Sequence, residues 1–106
     1  MKGWGRVDNI FEERMFMAMN MDIDSINKLL DEIIEDRTVP RNIRTLMQQA
    51  KADLNDEKND WAVRINAAIS IMDEVSNDPN IPTYARTQIW NTVSMLEILN
   101  EEMKKT

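Results

Sequence analysis

The chain has 106 residues, of which 42% are hydrophobic and 30% are charged, and its formal net charge at pH 7 is -6. This balance predicts one soluble domain with its own core, and the acidic charge makes nucleic acid an unfavourable partner. Because histidine and cysteine are absent, zinc sites, disulfides, thiolate nucleophiles and imidazole acid–base pairs are excluded. We therefore expect no cofactor. No apolar run is long enough to span a bilayer, so we also expect a cytoplasmic protein without membrane contact.

Residues 1–20 are predicted to form an N-terminal extension, separate from a helical domain over residues 21–106. The extension contains both glycines of the chain, Gly3 and Gly5, and has few apolar residues in its first part. Two interpretations stay open. The extension is either a helix, ordered or frayed, or a region that precedes a natural start of translation within the methionine cluster at residues 15–21.

Apolar residues recur at three- and four-residue steps in four segments, which predicts four helices. The first helix covers about residues 23–35, and the second follows a break at residues 36–40, where Thr38 is predicted to cap it and Pro40 to lie in its first turn. The predicted core positions of these two helices are Ile23, Ile26, Leu29, Leu30, Ile33, Ile34, Ile43, Leu46, Met47, Ala50 and Leu54.

The polar run at residues 55–60 predicts a loop, after which the third helix extends to about Ser76. A second break at residues 77–82 precedes the fourth helix, which extends to about residue 102. The predicted core positions of helices three and four are Ala62, Ile65, Ala68, Ile69, Met72, Val75, Ala85, Ile89, Val93, Leu96 and Leu99.

The segment at residues 31–45 reappears at residues 73–87, with six of fifteen positions identical at a constant offset of 42. This period is similar to that of HEAT-type helical repeats, but solenoids need about three repeats to bury their faces. We therefore predict an all-α fold in which two duplicated helical hairpins close on each other as a four-helix bundle. Pro40 and Pro82 are predicted to occupy equivalent positions in the two hairpins.

Three segments together resemble a small archaeal protein family of unknown function. They are Asp36–Arg44, with the sequence DRTVPRNIR, Ser76–Pro82, with the sequence SNDPNIP, and Ala85–Thr87. The resemblance covers residues 22–99 and leaves residues 1–20 outside. It implies a compact helical bundle with no established catalytic residues.

An aspartate is followed eight residues later by an arginine in both repeats, as Asp36 with Arg44 and Asp78 with Arg86. We interpret these pairs as structural corners, where the carboxylate accepts N–H groups at the start of the next helix and also holds the arginine. A binding site at each corner is the alternative interpretation.

Two further groups of charged residues suggest other functions. Arg37, Arg41 and Arg44 form a basic cluster that could bind a phosphate, an acidic peptide or RNA, or could simply neutralise the neighbouring acids. The pairs Glu32-x-x-Glu35 and Glu57-x-x-Asp60 resemble the acidic motifs of all-helical, magnesium-dependent nucleotide pyrophosphohydrolases. With 19 acidic residues in the chain, such spacings also arise by chance.

Trp90 and Ile98 lie off the apolar stripe of the fourth helix, at about 100° and 180° from Ile89. They either extend the core or form a contact surface for a partner. The sequence does not fix a function. We expect a non-enzymatic module that binds another protein or a second copy of itself, and the alternative is the magnesium-dependent hydrolase.

Overall fold

The computed structural model describes residues 22–104, which form four helices and contain no strand. Helix α1 covers residues 22–34 of this range, α2 is Arg41–Leu54, α3 is Trp61–Ser76 and α4 is Thr83–Lys104. The prediction of an all-α fold is confirmed. The predicted extension at residues 1–20 lies outside the described residues.

Each helix buries the apolar side chains that recur periodically in the sequence. In α2, for example, Ile43, Met47, Ala50 and Leu54 follow one another at steps of three and four and are all buried. Two connecting residues, Val39 and Ile81, are buried as well. The buried apolar residues of the described chain form one core, which consists of Ile23, Ile26, Leu30, Ile33, Val39, Ile43, Met47, Ala50, Leu54, Ile65, Ala68, Met72, Val75, Ile81, Ala85, Ile89, Val93, Leu96 and Leu99.

Helices α1 and α2 lie antiparallel. Near one end, the side-chain amides of Asn27 and Asn55 donate to each other, at 3.1 and 2.9 Å. One turn further along, the ammonium group of Lys51 binds the carboxylate of Asp31 at 2.5 Å. Helix α3 packs against both α2 and α4. Tyr84, at the start of α4, bonds to Asp36 in the connection between α1 and α2, so the connections α1–α2 and α3–α4 lie at the same end of the fold. The α2–α3 loop lies at the other end of α2.

Three predicted details are wrong. Ala62, placed in the core stripe of the third helix, is exposed, whereas Arg64 is buried. Thr38 does not cap α2, because the residue before the helix is Pro40 and the hydroxyl of Thr38 binds Asp36 instead. Pro40 thus stands immediately before the first turn of α2. Among the described residues, no helix is long and apolar enough to cross a membrane.

Candidate functional site

All three connections between helices carry the same local hydrogen bonds. Each is six residues long, and its second residue is an aspartate: Asp36, Asp56 or Asp78. The Oδ1 atom of each aspartate accepts the backbone N–H two residues later, at 2.9 Å from Thr38, 3.0 Å from Lys58 and 2.8 Å from Asn80. Its main-chain oxygen accepts the N–H three residues later, at 3.1, 3.2 and 3.4 Å. The three connections are therefore Asx-type turns of one kind.

An arginine follows each of these aspartates by eight residues: Arg44, Arg64 and Arg86. In two of the three arginines, the guanidinium donates a hydrogen bond to a main-chain oxygen. The Nε atom of Arg64 donates to the carbonyl of Leu54 at 2.8 Å, and the Nη2 atom of Arg86 donates to the carbonyl of Asp78 at 2.9 Å. In the described chain neither Arg44 nor Arg86 forms an ion pair with the aspartate of its corner. This geometry differs from the predicted contact between carboxylate and guanidinium.

The pair Asp56 and Arg64 was missed by the sequence analysis, although it has the same spacing as the other two. The aspartates recur at steps of 20 and 22 residues, so the pattern marks every turn between helices rather than one turn per hairpin. Pro40 and Pro82 do occupy equivalent positions, each directly before a helix. The middle connection has Asp60 at that position. The duplication of the two hairpins stays a prediction.

Tyr84 joins the first corner to the start of α4. Its hydroxyl donates to Oδ2 of Asp36 and contacts the hydroxyl of Thr38, which itself donates to Oδ1 of Asp36 at 2.6 Å. The hydroxyl of Thr38, the hydroxyl of Tyr84 and the N–H of Thr38, in that order, lower the pKa of Asp36 below its ordinary value of 3.8. No such contact was anticipated from the sequence, because the two residues are 48 positions apart.

The clasp formed by Asp36, Thr38 and Tyr84 makes stability depend on pH. Folding lowers the pKa of Asp36, so the ionised carboxylate contributes to the free energy of unfolding. The whole contribution is present at pH values well above 3.8, and it is lost as the pH falls through the lowered pKa. We expect Tyr84→Phe to shift the midpoint of acid unfolding, followed by circular dichroism, to higher pH. Asp24→Asn, which removes an exposed carboxylate of α1, serves as the control. An unchanged midpoint in Tyr84→Phe would contradict the clasp.

The basic cluster is only partly available to a ligand. Arg37 and Arg41 are exposed, and neither pairs with a described carboxylate. Arg44 is half-buried, and its Nε atom is buried without a hydrogen-bond partner, as is the Nε atom of Arg86. The three arginines therefore do not present one continuous exposed surface.

The acidic pairs of the hydrolase hypothesis do not come together. Glu32 and Glu35 lie at the end of α1, whereas Glu57 and Asp60 lie in the loop at the far end of α2. Helix α2 has 14 residues, which corresponds to a separation of about 21 Å at 1.5 Å per residue. Within residues 22–104 no three acidic side chains are close enough to hold a metal ion.

Trp90 and Ile98 are exposed large apolar side chains. Their exposed fractions are 55% and 61%, in a helix whose opposite side contributes Ile89, Val93 and Leu96 to the core. Trp90 and Ile98 thus do not belong to the core of the described chain. Between them lies Ser94, also exposed, and Ile98 lines a shallow surface groove with Ser94, Glu97, Glu101 and Glu102.

Seen along the axis of α4, these residues form one band. At 100° per residue, Trp90 and Ile98 lie about 40° to either side of Ser94, and the buried Ile89 and Leu96 lie more than about 130° away. We call the exposed band the outer stripe of α4. It consists of Thr83, Thr87, Trp90, Ser94, Ile98 and Glu101.

Comparison with known proteins shows where this fold belongs. The sequence model of the uncharacterised protein family UPF0147 matches residues 12–99. The chain belongs to this family. The match confirms the predicted resemblance and begins ten residues before residue 22, so residues 12–20, which the prediction left outside, lie within the region shared with the family.

Relatives in this family come from archaea. The UPF0147 protein of Methanothermobacter thermautotrophicus is 44% identical over 87 residues, which cover 79% of this chain and 85% of the relative. That of Methanocaldococcus jannaschii is 55% identical over 69 residues, which cover 65% and 74%. A family member from Thermoplasma acidophilum with a crystal structure is 38% identical, with a TM-score of 0.72 over 76% of this chain and 94% of that chain.

Proposed function

We propose that the protein is a non-enzymatic module that binds another protein chain through the outer stripe of α4. The observation that carries the proposal is the exposure of Trp90 and Ile98, at 55% and 61%, on the side of the helix that faces away from the core. Tryptophan is among the residues most enriched at the energetic centres of protein interfaces. The two side chains lie on the same side of α4, about 12 Å apart along its axis, and large apolar side chains exposed on one side of a helix are typical of contact sites.

The free energy available from this surface is considerable for a small protein. Each of the two side chains leaves on the order of 100 Å² of surface in water, and burying apolar surface contributes about 25 cal/mol per Å². Covering both side chains would thus contribute roughly 5 kcal/mol. The carboxylates of Glu97 and Glu102, which flank the stripe, are suited to the polar rim of such an interface.

The experiment is the replacement of Trp90 by glutamate. Because Trp90 is exposed, we expect Trp90→Glu to keep the circular dichroism spectrum and to change the melting temperature by only a few degrees. The same change should lower the recovery of cross-linked protein partners at least tenfold, since it replaces a large apolar contact residue of the interface by a charge. Cross-linking in an extract of the natural host, followed by mass spectrometry, measures the recovery.

The matched control is Ser70→Glu, which introduces the same charge on the exposed surface of α3. It should leave recovery at the wild-type level. If Trp90→Glu unfolds the protein, Trp90 belongs to the core and the proposal fails. Equal recovery with Trp90→Glu and Ser70→Glu would also overturn it.

A further inference from the structure

We infer that a second copy of this chain occupies the outer stripe, with the two α4 helices antiparallel about a two-fold axis at Ser94. This inference rests on the proposed function, because it names the partner of the same surface. It concerns described residues of one helix, all of them exposed.

The spacing of the apolar residues makes the stripe complementary to itself. Trp90 and Ile98 each lie four residues from Ser94, one towards either end of α4. In an antiparallel pair centred on residue 94, each residue faces the one equally distant on the other side of the centre. Trp90 of one copy therefore meets Ile98 of the other, twice over, as a two-fold interface requires.

The small residue at the centre allows the helices to approach closely. Packed helices lie 8–10 Å apart, and the distance is set by the side chains at the point of contact. At Ser94 neither copy carries a bulky group, so the indole of Trp90 can extend across the axis and cover Ile98 of the second copy. A large residue at position 94 would instead hold the two helices apart.

Charge favours the antiparallel over the parallel arrangement. The C-terminal half of α4 contains three acids, Glu97, Glu101 and Glu102, and one base, Lys104, whereas residues 83–94 contain no acid and one base, Arg86. A parallel pair would place the carboxylates of one copy beside those of the other. An antiparallel pair places them over the half of the partner helix that contains Arg86 and no acid.

The helix dipole acts in the same direction. Carboxylates near a helix C-terminus lie at the negative end of the dipole, and their interaction with that dipole is unfavourable. In the antiparallel pair, Glu101 and Glu102 face positions 87 and 86 of the second copy, near the start of its α4 and the positive end of its dipole. The position of these acids is thus suited to the dimer. A different partner would have to be basic to achieve the same effect.

Cysteine scanning tests the arrangement directly, because the chain has no cysteine of its own. In the antiparallel pair the two residues 94 face each other at the axis, within the roughly 4–7 Å that a disulfide requires between Cα atoms. The two residues 87 are separated by about 21 Å, which is 14 helical rises of 1.5 Å. We expect Ser94→Cys to form a disulfide-linked dimer on mild oxidation, at least tenfold more than Thr87→Cys, and Trp90→Glu to abolish this excess.

Each outcome decides the inference. A wild-type chain that sediments as a dimer, with efficient linkage through residue 94 and little through residue 87, supports it. Equal linkage at both positions indicates a parallel or unspecific contact and overturns it, as does a monomer without linkage at either position. If that monomer still loses its cross-linked partners on Trp90→Glu, the interaction module stands and only the second copy is wrong. If Trp90→Glu has no effect on those partners either, both proposals fail.

Discussion

Replacing Leu96 by alanine is expected to lower the free energy of unfolding by about 2–5 kcal/mol, because the side chain is fully buried and its removal leaves a cavity. Ile98→Ala, two residues further along the same helix, removes a similar side chain that is 61% exposed. It should change the free energy of unfolding by less than about 0.5 kcal/mol. Both values are measured by urea unfolding at a concentration where wild type and variants are monomeric.

The two variants compare the buried and the exposed side of α4 in the same urea unfolding experiment. If Ile98→Ala costs as much as Leu96→Ala, Ile98 packs in a monomer core and the outer stripe is not a free surface. If neither change costs more than about 0.5 kcal/mol, α4 does not contribute to the core in the way the buried residues indicate.

The second large effect is expected at Arg64, whose side chain is buried at 8% exposure. Its Nε atom donates to the carbonyl of Leu54, the last residue of α2, and its guanidinium lies 3.6 Å from the centre of the Trp61 ring. Arg64→Met removes a hydrogen bond from a charged group, worth about 1.5–3 kcal/mol, and a cation–π contact worth about 0.5–2 kcal/mol. We expect a loss of roughly 2–4 kcal/mol in the free energy of unfolding.

Arg41→Met is the matched control, since Arg41 is exposed at the first position of α2. Its effect on urea unfolding should stay within about 0.5 kcal/mol. A comparable loss for both arginine variants would show that the loss comes from the general charge balance, and the contacts of Arg64 would then not be its cause.

The fold class could be predicted from the sequence because the buried side of a helix requires apolar residues at regular spacing. Leu96 and Met72 lie on stripes of the 3.6-residue period, and both are fully buried. Arg64 could not be predicted in this way, because its burial depends on a carbonyl and an aromatic ring that only the folded chain places beside it. Ala62 was predicted to be in the core because it is apolar and has the right spacing, but the folded helix exposes it.

The candidate site shows the same division. Trp90 and Ile98 were identified because they interrupt a periodic pattern, and the structure decides their exposure, which the pattern alone left open. The role of Asp36 was predicted only as a corner. Its bond to Tyr84 joins residues 48 positions apart, and no local pattern carries information over that distance.

The uniformity of the three turns has a consequence for how the chain folds. The Asx-type hydrogen bonds of each turn join residues two or three positions apart, so they can form before the distant parts of the chain meet. Contacts that are close in sequence require little loop-closure entropy, and chains dominated by them fold in microseconds to milliseconds. The closure between Asp36 and Tyr84 spans most of the described chain. This contact therefore forms late in folding, and a change in its strength should alter mainly the rate of unfolding.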